Sequence, residues 1–146
     1  MKSVKKITRV QLKINQSDDS ILLGLVSAEP DYKLSLTLNK KFHISLKNIL
    51  PLKITDEAGS ELTFSRFSDT SRAPDILFNL TSNRSGKNFL LKKLKNVDYI
   101  FQVHDNENES NVNQVTTSLR EIESVNAVFN IDINTFKDKN LQYLTQ

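Results

Sequence analysis

The 146 residues include no cysteine, which excludes disulfides, thiolate zinc sites and cysteine nucleophiles and fits a reducing compartment. Glycine is scarce: Gly24, Gly59 and Gly86 are all there is. None sits in a glycine-rich phosphate loop, and Gly86-Lys87 has no strand–loop–helix context around it. No Gly-x-Ser-x-Gly elbow exists, so that nucleophile arrangement is missing too. Histidine is limited to His43 and His104, with no His-x-His or His-x-x-x-His spacing. The longest apolar run, Ile21 to Val26, is far shorter than the roughly 20 residues a membrane helix needs. Met1 to Lys6 is charged like the start of a signal peptide, but Arg9, Gln11 and Lys13 interrupt any apolar stretch behind it. The expectation is a cytoplasmic protein with no membrane association.

What is present is an ordinary globular composition, 38% hydrophobic and 25% charged, of a length that suits one domain spanning 1–146. Charge is unevenly placed. Residues 1–103 carry 17 Lys/Arg against 10 Asp/Glu, and residues 104–146 carry 3 against 7. A basic region attracts phosphate-rich partners through counterion release, although Lys and Asn also serve simply as solvated surface.

Apolar periodicity predicts the elements. Val10, Leu12 and Ile14 alternate with polar residues as a half-buried strand, and Ile21 to Val26 reads as a buried central strand antiparallel to it. Pro30 suits the first turn of a helix, with Ser27 or Ala28 near its cap. Leu34, Leu36 and Leu38 alternate like a strand, whereas Leu34, Leu38 and Phe42 are spaced like one helical stripe. Leucine and lysine favour the helix, predicted over 29–41. Leu52-Ile54, Leu62-Phe67 and Ile76-Leu80 read as a meander, with turns at 56–59 and 69–74 and a stop at Asn83-Arg84-Ser85-Gly86. Val97 to Val103 is a further, central strand. Val112, Val115, Leu119 and Ile122 lie on one helix face, and 126–133 alternates as a strand. Residues 97–133 thus form a C-terminal βαβ unit. The tail carries Phe136, Leu141, Tyr143 and Leu144 and is expected to pack.

Few residues invite chemistry. His104 with Asp105 or Glu107 offers half of a metal site or an acid–base pair, but no third ligand is visible, and no metal or other cofactor is expected. His43, between Phe42 and Ile44, reads as a packing residue. The acidic pairs Asp18-Asp19 and Asp56-Glu57 fall in turns, where Asp serves the backbone. No catalytic residue is assigned. Lys87, Lys92, Lys93 and Lys95 flank Phe89 and Tyr99, near Phe64 and Phe67, a combination that suits RNA bases if the rings are exposed and core packing if they are not.

The segment Leu90-Leu91-Lys92-Lys93-Leu94-Lys95-Asn96-Val97-Asp98-Tyr99 runs from a basic turn into an apolar strand. With Leu22-Leu23-Gly24-Leu25, Asp31-Tyr32-Lys33-Leu34 and Leu38-Asn39-Lys40-Lys41 upstream, it resembles the IPExxxVDY family, small proteins found chiefly in Bacteroidota that have no established activity. The resemblance spans roughly residues 6 to 144. Val97-Asp98-Tyr99 matches the signature, while Leu91-Lys92-Lys93 stands where the family has Ile-Pro-Glu. Ser118 to Ile131 also resembles, more loosely, the last helix and strand of ferredoxin-like and ACT-type domains, without the glycine-rich ligand turns of the latter.

The expectation is an α+β domain, a largely antiparallel six- to seven-stranded sheet with two main helices on one face and the other face open to a partner. Function is expected to be that of a non-catalytic interaction or adaptor domain acting on another protein or on itself as a homodimer through the sheet. The alternative is an RNA-associated protein using the Lys-rich turn 87–95. Binding candidates are Lys92, Lys93, Lys95, Asp98, Tyr99, Asp31, Tyr32, Asn39 and Lys40. Asp98 and Tyr99 also have a structural reading, a carboxylate accepting turn amides and a buried ring whose hydroxyl finds a partner.

Overall fold

The structure, a computed structural model, describes residues 20–106 and 111–145. The expected strand at Val10–Ile14 lies outside them, as does Glu107. Strands β1 (Ser20–Val26), β2 (Lys47–Thr55), β3 (Glu61–Asp69), β4 (Ile76–Ser82), β7 (Tyr99–Asp105) and β8 (Ala127–Asn130) build one sheet, with β5 (Arg84–Ser85) and β6 (Asn88–Phe89) a small separate hairpin. The order is β2-β3-β4-β7-β1-β8, and every neighbouring pair is antiparallel. Helix α1 (Asp31–Phe42) follows β1 and helix α2 (Val112–Arg120) links β7 to β8.

This order makes the C-terminal βαβ unit a split one, because β1 lies between β7 and β8. The chain from β1 through α1 to β4 forms a second split unit, with β7 between its strands and the β2–β3 hairpin added beyond β4. Both helices lie on one face. There Leu34 and Leu38 of α1 and Leu119 of α2 pack on Leu23, Leu25, Leu80, Tyr99 and Phe101. Helical spacing of the leucines prevailed over their alternation, since Leu36, the odd member, is 64% exposed.

Pro30 is the residue before α1 rather than within it, and its carbonyl accepts from the Lys33 and Leu34 amides. The helix ends at His43, which takes a left-handed conformation (φ 56°) and donates its amide to Asn39 O. His43 is exposed and so is not the packing residue expected. Strand β2 begins earlier than its apolar pair suggested, and it contains Pro51 at a register shift between Ile49 and Leu52. The Asp56 turn is held by its own carboxylate, which accepts from the Ala58 and Ser60 amides.

The second face is not open. Leu22, Leu62, Phe64 and Ile100 are covered there by Leu90, Leu91 and Val97 of the turn before β7 and by Ile131, Leu141 and Leu144 of the tail. A short 3₁₀ turn (Lys139–Leu141) and α3 (Gln142–Thr145) carry the last of these. Gly24 permits the close fit: a Cβ at that position would lie 3.1 Å from both Val97 γ-methyls.

Candidate functional site

The segment before β7 is organised by a residue the sequence does not advertise. Asn83, fully buried at the end of β4, donates through Nδ2 to the Leu94 and Val97 carbonyls, both at 2.9 Å. Its Oδ1 accepts from the Leu91 amide at 2.8 Å, and its own amide and carbonyl bond Asp98 O and the Leu90 amide. One amide side chain therefore satisfies the inner polar groups of an irregular turn that has no ladder of its own. An asparagine preceding Arg-Ser-Gly reads as a strand terminator, so only the pairing of an Asn with a distant apolar turn could have marked it.

Asp98 fixes the start of β7. Its Oδ2 accepts from the Ser27 amide at 2.9 Å, and its Oδ1 accepts from Arg84 Nε in an ion pair. The amide it holds belongs to the segment after β1, not to the turn before β7 as the sequence suggested. Tyr99 is 8% exposed and its hydroxyl donates to Glu29 O. Burial, with the charges of Asp31, Asp98 and Glu29 around it, pushes its phenol up to about 12.

These bonds bring some of the candidates together. Asp98 and Tyr99 meet the Asp31 end of α1, and Arg84 ties Asp98 to the basic turn through Lys95 O at 3.5 Å. Tyr32, 58% exposed, points outward from the same end of α1. Asn39 and Lys40 are eight or more residues further along, roughly 12 Å away by helical rise. Asn39 acts there as a clamp: its Oδ1 accepts from the Leu46 amide at 2.6 Å and its Nδ2 donates to Leu46 O at 3.2 Å. Lys40 is exposed.

Lys92, Lys93 and Lys95 all expose their side chains. The Lys92 amide donates to Asp138 Oδ2, and Asp138 Oδ1 accepts from the Asn140 amide, so one carboxylate joins the turn to the tail. Asn140, itself buried, closes the junction by donating to Leu90 O at 2.7 Å. The aromatic platform that bases would need is not assembled. Phe64 and Phe67 are buried in opposite cores and Tyr99 is buried, which leaves half-buried Phe89 beneath Arg84 at 4.9 Å.

His104 pairs through Nδ1 with Ser20 Oγ at 2.9 Å, across the β1–β7 register. Among the described residues no group of three His, Asp or Glu side chains is placed to hold a metal. A hollow of about 480 Å³ lies between the turn and β8, walled by Leu94, Val97, Phe129, Ile131 and Phe136 among others. Sequence pattern gave no sign of it, since alternation placed Phe129 on a strand without showing that this strand is the outermost of those described. No helix among the described residues is long and apolar enough to cross a membrane. No family model matches the chain, and no curated protein matches it.

Proposed function

We propose that this chain is a non-catalytic interaction or adaptor domain of the cytoplasm, of the kind its resemblance to the IPExxxVDY family implies, with another protein or a second copy as its partner. The observation that carries this reading is the hollow beside β8, where Phe129 remains 42% exposed and the lining joins Leu94 and Phe136 to Asn130 and Asp132. Supporting it, Asp98, Tyr99 and Asn83 are engaged with main-chain groups of their own fold, and Asp98 with Arg84 as well. An acid–base role would need such groups aimed at a reacting atom.

The second reading, association with RNA through the Lys-rich turn, is favoured by one observation: Lys93 and Lys95 are exposed and make no salt bridge among the described residues. It would rest on phosphate contact alone, because the neighbouring rings are buried or covered. Affinity capture of the tagged protein, with and without ribonuclease, separates the two. Protein partners that persist through ribonuclease are expected. Loss of all partners on ribonuclease treatment, and equally on changing Lys92, Lys93 and Lys95 to Glu, would overturn the reading in favour of RNA.

A further inference from the structure

We infer that the hollow between the β2–β3 turn and the tail binds a small zwitterion, a primary ammonium joined through a short apolar body to a carboxylate. This site shares no lining residue with the hollow beside β8 and goes beyond the interaction reading.

The walls are fixed before any ligand arrives. The hollow measures about 300 Å³, at the lower end of the range for small-molecule sites. Three segments far apart in the chain enclose it: the end of β2 with the turn after it, Lys92 of the basic turn, and the tail from Lys139 onward. Each is pinned. Asp56 Oδ1 closes its own turn by accepting from the Ala58 and Ser60 amides. The Asp138 carboxylate accepts from the Lys92 amide at 3.0 Å and the Asn140 amide at 2.9 Å, and so locks the basic turn to the tail. Walls already ordered lose little entropy on binding.

One buried atom points to the ligand. Asn140 lines the hollow and is 8% exposed. Its Nδ2 donates to Leu90 O, but no donor among the described residues meets its Oδ1. A buried carbonyl oxygen left without a donor is costly, and an ammonium brings the N–H it lacks.

Charge in the lining defines the rest. Two carboxylates, Asp56 and Glu57, and two ammonium groups, Lys92 and Lys139, line the same hollow. Lys139 makes no salt bridge among the described residues. Lys92 Nζ stands 4.0 Å from Glu57 Oε1 in an exposed pair, which holds its members weakly and leaves them able to take another partner. A simple anion would face the two carboxylates, and a simple cation the two lysines. A ligand bearing both signs finds a complement for each. Ile54 and Tyr143, both half-buried, offer the apolar wall against which its body lies.

The test titrates the isotope-labelled full chain with free L-amino acids and with straight-chain ω-amino acids, read by amide chemical shifts. Saturable shifts centred on Thr55, Glu57, Lys92 and Lys139 are expected. Blocking either charge of the best binder, as its N-acetyl or methyl ester derivative, should weaken it by about tenfold or more. Lys139→Glu and Glu57→Lys each change one exposed side chain and should weaken it by about threefold or more. Circular dichroism confirms that both variants are folded. Blocked derivatives that bind as well as the parent compound would overturn the site, as would two variants that bind it unchanged. No saturable shift with any of these compounds, or shifts centred instead on the hollow beside β8, would overturn it too.

Discussion

The face of the sheet that carries Leu23, Leu25 and Phe101 is covered by two helices, whereas the face that carries Leu22, Phe64 and Ile100 is covered by irregular chain and by the short helical turns of the tail. A helix satisfies its own backbone and needs only an apolar stripe to dock. Irregular chain has no internal ladder, so its inward amides and carbonyls must find partners elsewhere. Here side chains provide them: Asn83 for Leu91, Leu94 and Val97, Asp138 for Lys92, and Asn140 for Leu90. The two faces bury similar kinds of residue, but one is held by periodicity and the other by individual polar groups.

The comparison breaks most sharply at Asn83. Asn83→Ala leaves the Leu91 amide and the Val97 carbonyl without their partner and takes from the Leu94 carbonyl one of its two donors, the other being the Val97 amide; a loss of about 4 kcal/mol is expected in chemical denaturation. On the helical face, Leu38→Ala removes a fully buried side chain and should cost about 3 kcal/mol by the same measurement. The first loss comes from unsatisfied polar groups, the second from a cavity.

Gly24→Ala should destabilise by about 1–2 kcal/mol, because the new methyl lies 3.1 Å from the Val97 γ-carbons. Combined with Val97→Ala it should cost less than the sum of the two single changes, by at least about 0.5 kcal/mol. Additive costs would show that the contact is not shared.

The smallest effect concerns pH. The Tyr99 phenol is raised to about 12 in the fold, mainly by burial and then by the carboxylates of Asp31, Asp98 and Glu29. A group whose folded value lies above its unfolded value of 10.0 contributes stability that is fully present below pH 10 and lost as pH rises toward 12. Tyr99→Phe should cost about 1 kcal/mol at neutral pH through the lost bond to Glu29 O, and should flatten the alkaline loss of stability. An unchanged alkaline profile in that variant would assign the loss to another group.

Much of the helical face was legible because its signal is periodic. Leu34-Leu38 and Val115-Leu119 announce helical stripes, Ile76, Phe78 and Leu80 alternate as a strand, and the nearly all-apolar run read as a strand from Val97 is one from Tyr99 onward, Val97 itself lying in the turn before it. The covering of the second face was not legible. Leu90, Leu91 and Val97 show that something packs, but no local pattern says that Asn83 reaches them or that the tail returns through Asn140. The register shift at Pro51 and the exposure of Phe129 likewise depend on which strands are outermost among those described, which is set by strand order rather than by neighbouring residues. Of the candidate site, Asp98 and Tyr99 could be singled out from their position at a strand start, while the hollow beside β8 arises only when the turn and the tail meet.

Amide hydrogen exchange of the native chain and of Asn83→Ala tests most directly whether one side chain holds the second face together. Selective loss of protection at Leu91, Leu94 and Val97, at least tenfold beyond any change at Leu23, Leu25 and Phe101, is the outcome predicted. Protection falling equally on both faces, or not falling in the turn at all, would contradict it.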